Sequence, residues 1–156
     1  MPALDILREL RFRPRVAAEL LRDVLHVTLP RYDGVRAEAL DGSAPTDDGP
    51  LVVVLTSGRT PLAAILVDAL DACDSPARVR WPRWADAVTA RLSVEVHSMV
   101  VTIDEVVERW ALQPVHLDHE RVFQPHVVGP SAIPTDGQAT PLLILMTLAS
   151  KITPCA

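Results

Sequence analysis

Apolar residues are densest between Leu51 and Leu70, LVVVLTSGRTPLAAILVDAL, and the remaining elements arrange themselves around that stretch. Leu51 to Thr56 is a β-branched run of strand length, Ser57-Gly58-Arg59-Thr60-Pro61 is turn chemistry, and Leu62 to Val67 is a second apolar run closed by Asp68. The pattern predicts a buried hairpin. On the N-terminal side, Leu4, Ile6, Leu7 and Leu10 follow a helical period that Pro14 interrupts. Val16, Leu20, Leu21, Val24 and Leu25 resume it on one face until Leu29-Pro30. Val35 to Leu40 alternates apolar and polar residues, as a half-buried strand at a sheet edge does. Beyond the hairpin, Trp81 to Leu92 predicts a helix with Pro82 in its first turn, and Val94 to Ile103 a further β-branched strand. Asp104 predicts the cap of another helix, with Glu105 and Glu108 in its first turns and Val106, Val107 and Trp110 facing inward. Val115 to Leu117 and Arg121 to Val128 read as extended, and Pro141 opens a last apolar helix at Leu142 to Leu148.

This order predicts a single α/β domain over residues 1–150 with one mixed β-sheet, in which the helix from Trp81 crosses over to a parallel strand. A length of 156 residues suits one domain with its own core. Apolar residues make up 49% and aromatic residues 4%, so that core must consist mainly of Val, Leu, Ile and Ala. No apolar run approaches the length of a membrane span and the N-terminus lacks signal-peptide character, which points to a cytoplasmic protein. Cys73 and Cys155 have neither metal nor disulfide spacing. A net charge of −5 argues against the whole surface binding nucleic acid, although local patches remain available. The only Lys is Lys151.

Chemistry gathers at the hairpin's open end. Antiparallel pairing brings the start of the first strand beside the end of the second, so Asp47 or Asp48 would stand near Asp68, an arrangement suited to a hard cation. The plainer alternative is that these acids solvate strand ends. Arg78, Arg80, Arg83 and Arg91 follow closely, and could meet phosphates or simply balance Asp71, Asp74 and Asp86. His116, Asp118, His119 and His126 are metal-capable types, but on an extended segment His116 and Asp118 point away from His119. Ser57-Gly58-Arg59 lacks the spacing of a phosphate-binding loop.

Several short motifs carry a family resemblance: Arg13-Pro14 with Ala18-Glu19-Leu20-Leu21; Trp81-Pro82 with Ala90-Arg91-Leu92; Arg109-Trp110-Ala111 with Pro114; and Pro125 with Val128-Gly129-Pro130 and Ile133-Pro134. With the order αβββαβ, they make the chain, from about Leu10 to about Ser150, similar to the PD-(D/E)XK nuclease superfamily. The nearest likeness is to uncharacterised bacterial proteins of its transposase-like and recombination-promoting-nuclease-like branch. The resemblance implies a restriction-endonuclease-like core, a Mg²⁺ held by carboxylates, and a Lys or Gln two positions after the second acid that helps orient the attacking water. Carried over, Asp48 and Asp68 become the metal ligands, with Asp71 or Asp74 as substitutes in a catalytic set of Asp48, Asp68 and Asp71. The position two after Asp68 is Leu70, and the best strand alignment puts Pro50 at the first acid. The resemblance also implies a helical continuation, whereas this chain leaves the pattern near Lys151 and ends in a divergent tail over 151–156, as a truncated product would. Three expectations follow. The first is a nuclease-like fold that is catalytically weak or inactive. The second is a Mg²⁺-dependent DNA endonuclease with Arg78, Arg80, Arg83 and Arg91 on the phosphates. The third is a protein-interaction module that self-associates through apolar C-terminal surface.

Overall fold

The computed structural model describes residues 2–47 and 49–132. Helix α1 spans Pro2–Phe12, and α2, Arg15–Glu19, runs on into a single wider π turn over Leu20–Val24. Three strands follow, β1 Gly34–Glu38, β2 Leu51–Ser57 and β3 Thr60–Ala69, before the long helix α3, Ser75–Leu92. Then come β4 Glu95–Val101, α4 Glu105–Ala111, the short strands β5 Val115–His116 and β6 Val122–Phe123, and β7 His126–Val128. The main sheet has the order β1-β2-β3-β4-β7, and β5 and β6 form a separate pair. The first two pairings are antiparallel and the last two parallel. The protein is therefore an α/β fold on a mixed sheet, with β1 at an edge and the hairpin strand β3 in the middle.

β3 is apolar on both faces because both are covered. Ala63, Ile65, Val67 and Ala69 pack with Ile6, Leu10, Leu20 and Leu21 under the N-terminal helices. Ala64 and Leu66 pack with Val88 of α3 on the other side. The turn is narrower than its composition suggests. Ser57 pairs with Thr60, so only Gly58 and Arg59 connect the strands, and a register shift between Leu55 and Thr56 leaves Leu62 as the extra residue of β3. Gly58 takes φ +60 at the first central position, as a type II′ turn requires, and its N–H donates to the Asp33 carboxylate at 3.0 Å.

Two boundaries differ from the sequence expectation. The second helical segment ends at Val24, because His26 adopts φ +56 and Val27 N–H closes on Leu21 O at 2.8 Å. Helix α3 begins at Ser75, six residues before Trp81, since Pro76 is the proline that fits an N-terminal turn. Pro82 consequently lies inside the helix, buried against the sheet. Asp104 caps α4, accepting from Val106 N at 2.8 Å and Val107 N at 3.1 Å. Val107 is buried, but Val106 is 58% exposed, because a seven-residue helix turns only part of its surface to the sheet. Among the described residues no helix is long and apolar enough to cross a membrane.

Candidate functional site

Asp68 ends β3 on the α3 face. Alternation along the strand points it, with Ala64 and Leu66, away from the N-terminal helices. Trp81, nearly two turns into α3, donates its indole Nε1–H to Asp68 Oδ2 at 2.9 Å. The surroundings are apolar: Val100 is the parallel register partner, and Leu70, Trp81, Val100, Ala111 and Val127 form one cluster. Burial pushes the Asp68 carboxyl above the usual carboxylate range, and the hydrogen bonds from Trp81 and from the Ala69 N–H offset only part of that. Leu70 packs against this cluster, so the residue standing at the water-orienting position of the resemblance is an apolar side chain that cannot orient water.

Asp71 and Asp47 face elsewhere. Asp71 Oδ1 accepts from Ala3 N–H at 2.9 Å, capping the first turn of α1 on the opposite side of the sheet, while its Oδ2 is buried without a partner. Asp47 pairs with Arg11 at 2.8 Å and lies 4.0 Å from Arg8, again at α1. The register does bring the start of β2 beside the end of β3, since Leu51 pairs with Val67, and Pro50 and Asp68 are the next residues outward. Asp48 lies outside the described residues. Among the described residues no group of three or more His, Cys, Asp and Glu side chains converges as cation ligands. The described carboxylates alone do not assemble a set of cation ligands: besides Asp68 itself, the acid whose charge reaches it is Asp74, which is paired with Arg80, and burial raises the Asp68 pKa.

The arginines divide in two. Arg78 clamps the end of α4, donating to the carbonyls of Trp110 at 2.6 Å, Gln113 at 2.8 Å and Pro114 at 3.1 Å while lying over the Trp110 ring. Arg91 folds back onto Glu38 at 2.7 Å and the Leu40 carbonyl at 3.1 Å. Both tie α3 to neighbouring segments. Arg80 pairs with Asp74 at 3.1 Å and lies over Trp84 at 5.5 Å, and Arg83 is exposed on the same helix.

The candidate histidine segment separates as well. Asp118 is used as a turn acceptor: Glu120 N–H, Arg121 N–H and Arg121 Nε all donate to it, holding its carboxyl down at about 2. His116 is exposed on β5 and His119 lies in the turn, while His126 sits on β7. His126 meets a residue not singled out in the sequence, the buried His97 of β4, with ring centroids 5.9 Å apart. His97 alternates with Met99 and Val101 along β4, which was the available signal for an inward-facing histidine. The apolar segment Leu142 to Leu148 and Cys155 lie outside the described residues. No family model, curated protein or solved structure matches this chain.

Proposed function

We propose that this chain is a nuclease-like α/β scaffold whose acidic residues now hold the fold together, leaving it catalytically weak or silent. The observation that carries the reading is the 2.9 Å hydrogen bond from Trp81 Nε1 to Asp68 inside an apolar enclosure. A carboxylate meant for a divalent cation needs a second oxygen ligand beside it and stability as the anion. Asp68 has a tryptophan N–H and apolar neighbours instead. Asp71 supports the same reading, being engaged by the α1 backbone on the other face. Any retained contact with a polynucleotide would fall to Arg80 and Arg83, since Arg78 and Arg91 are occupied within the fold. A cytoplasmic location belongs with this reading, because Cys73 is a free, exposed thiol.

The second reading is the active Mg²⁺-dependent endonuclease. It is favoured by the register that sets the start of β2 beside Asp68, and it requires Asp48 to complete the site. Calorimetric titration of Mg²⁺ and Mn²⁺ into the protein and its Asp68→Ala and Asp48→Ala variants, with a nicking assay on supercoiled DNA, separates the two. The expected result is no saturable cation binding and no metal-dependent nicking by folded protein. Nicking that disappears in both variants would overturn the first reading in favour of the second.

A further inference from the structure

The N-terminal side of the sheet carries a feature that neither reading uses. Between α2 with its π turn and the segment leading into β1 lies a cleft of about 410 Å³, lined by Arg15, Arg22, Leu29, Pro30, Arg31 and Tyr32. Three of these six residues are arginines, all exposed, in a molecule whose net charge is −5. The local acids engage only Arg22, whose fork donates to both Asp23 oxygens at 2.9 and 3.3 Å. Asp33 is turned away, with both carboxylate oxygens on the Gly58 N–H at 3.0 and 3.3 Å. Glu19 acts on Arg22 more weakly than Asp23 does. Arg15 reaches the Asp33 carbonyl with one donor at 3.3 Å and stands over the Tyr32 ring at 5.9 Å, leaving the rest of its fork available. None of the three arginines supports the core in the way Arg78 does.

We propose that this cleft binds a phosphate-bearing small molecule of nucleotide size, with Arg15 and Arg31 as the anion contacts and Tyr32 as the wall for a planar group. A guanidinium fork matches two phosphate oxygens at once, and Arg15 and Arg31 bring two such forks to one concavity. The volume falls within the roughly 300–1,000 Å³ typical of small-ligand sites. The position makes the site independent of Asp68. Asp33 N–H donates to Thr56 O at 3.0 Å, fixing the Tyr32 wall at the hairpin-turn end of the sheet, and Tyr32 packs on the N-terminal-helix face. Asp68 lies at the other end of β3 and on the opposite face, roughly 23 Å away along the strand at about 3.3 Å per residue. A phosphate held here is out of reach of any cation that Asp68 could hold, and failure of the nuclease-like reading leaves this inference standing.

Titrating pyrophosphate and ADP into the full chain by calorimetry tests it, using Arg15→Ala, Arg31→Ala and Arg31→Lys, with Arg109→Ala, an exposed arginine of α4, as the charge control. Unchanged thermal midpoints establish that the variants fold. The expected result is saturable one-site binding of both ligands that weakens with salt, falls about tenfold in each alanine variant, falls less in Arg31→Lys, and is unaltered in Arg109→Ala. No saturable binding by folded protein would overturn the inference. So would equal weakening in Arg109→Ala, or binding of a single-stranded oligonucleotide without any response to ADP.

Discussion

Asp68 shows how one neighbour decides what a carboxylate does. Its native proton affinity is raised by burial, so the folded form keeps the proton to higher pH than the unfolded chain does. The cost of ionising it is therefore absent in acid and enters as the pH climbs through and above the ordinary carboxylate range. Asn at this position keeps an oxygen for the Trp81 N–H and removes that cost. Asp68→Asn should thus match or exceed the parent in thermal midpoint at neutral pH, and lose part of the decline in stability above about pH 4. Asp68→Ala strands the indole N–H and should lose about 1–3 kcal/mol. Thermal unfolding of the three proteins across pH 4–8 measures both, and equal losses in Asn and Ala would show that the charge itself is required. The position of Asp68 was legible in the sequence, because a strand-ending acid after an apolar run is a local pattern. Its partner was not. Trp81 lies thirteen residues on in another element, and only the packing of α3 over β3 brings the two together.

Helices α3 and α4 make the same point one level up. The Asp104 cap was readable because capping acts within three residues, and Asp104→Ala should cost about 1 kcal/mol in chemical denaturation. Arg78 was not readable as a clamp, since its reach to Trp110, Gln113 and Pro114 crosses more than thirty positions. Removing it takes a side-chain donor from three carbonyls at the end of α4, although that of Trp110 keeps the Gln113 N–H at 3.2 Å. Arg78→Ala should therefore destabilise more than Asp104→Ala, and Arg78→Lys should recover little, because an ammonium cannot fork across separate carbonyls. The misplaced start of α3 has a simple origin. Pro76 and Pro82 both resemble first-turn prolines, and the true first turn is the one at Pro76, where Asp74 contributes its backbone carbonyl to Ala77 N–H at 3.0 Å while its carboxylate pairs with Arg80. Pro82 persists inside the helix although an interior proline costs about 3 kcal/mol, which the burial of that face offsets.

At the scale of the whole molecule, the sheet joins the N-terminal and C-terminal segments through β4 and β7, and the histidine pair lies in that seam. Burial, and then the nearby His97, lower the His126 pKa, so the folded form resists protonation that the unfolded chain accepts. Stability should hold above about pH 6.5 and decline as the pH falls below it. His126→Gln should flatten that part of the profile in thermal unfolding, and an unchanged slope would assign it to other groups. The mixed sheet was legible from the order and period of its long strands. β7 was not, because three residues carry no period and its place beside β4 depends on what α4 and the β5–β6 pair put between them.

The central hairpin has a further consequence, for how the chain finds this arrangement. β2 and β3 are joined by two residues, whereas β3 and β4 meet only after the eighteen-residue α3 has been laid across them. Loop-closure entropy makes the first pairing cheap and the second slow. The middle of the sheet is then the part assembled earliest, with its edges added outward, and substitutions such as Val53→Ala act on the rate of folding where Val128→Ala acts on the rate of unfolding.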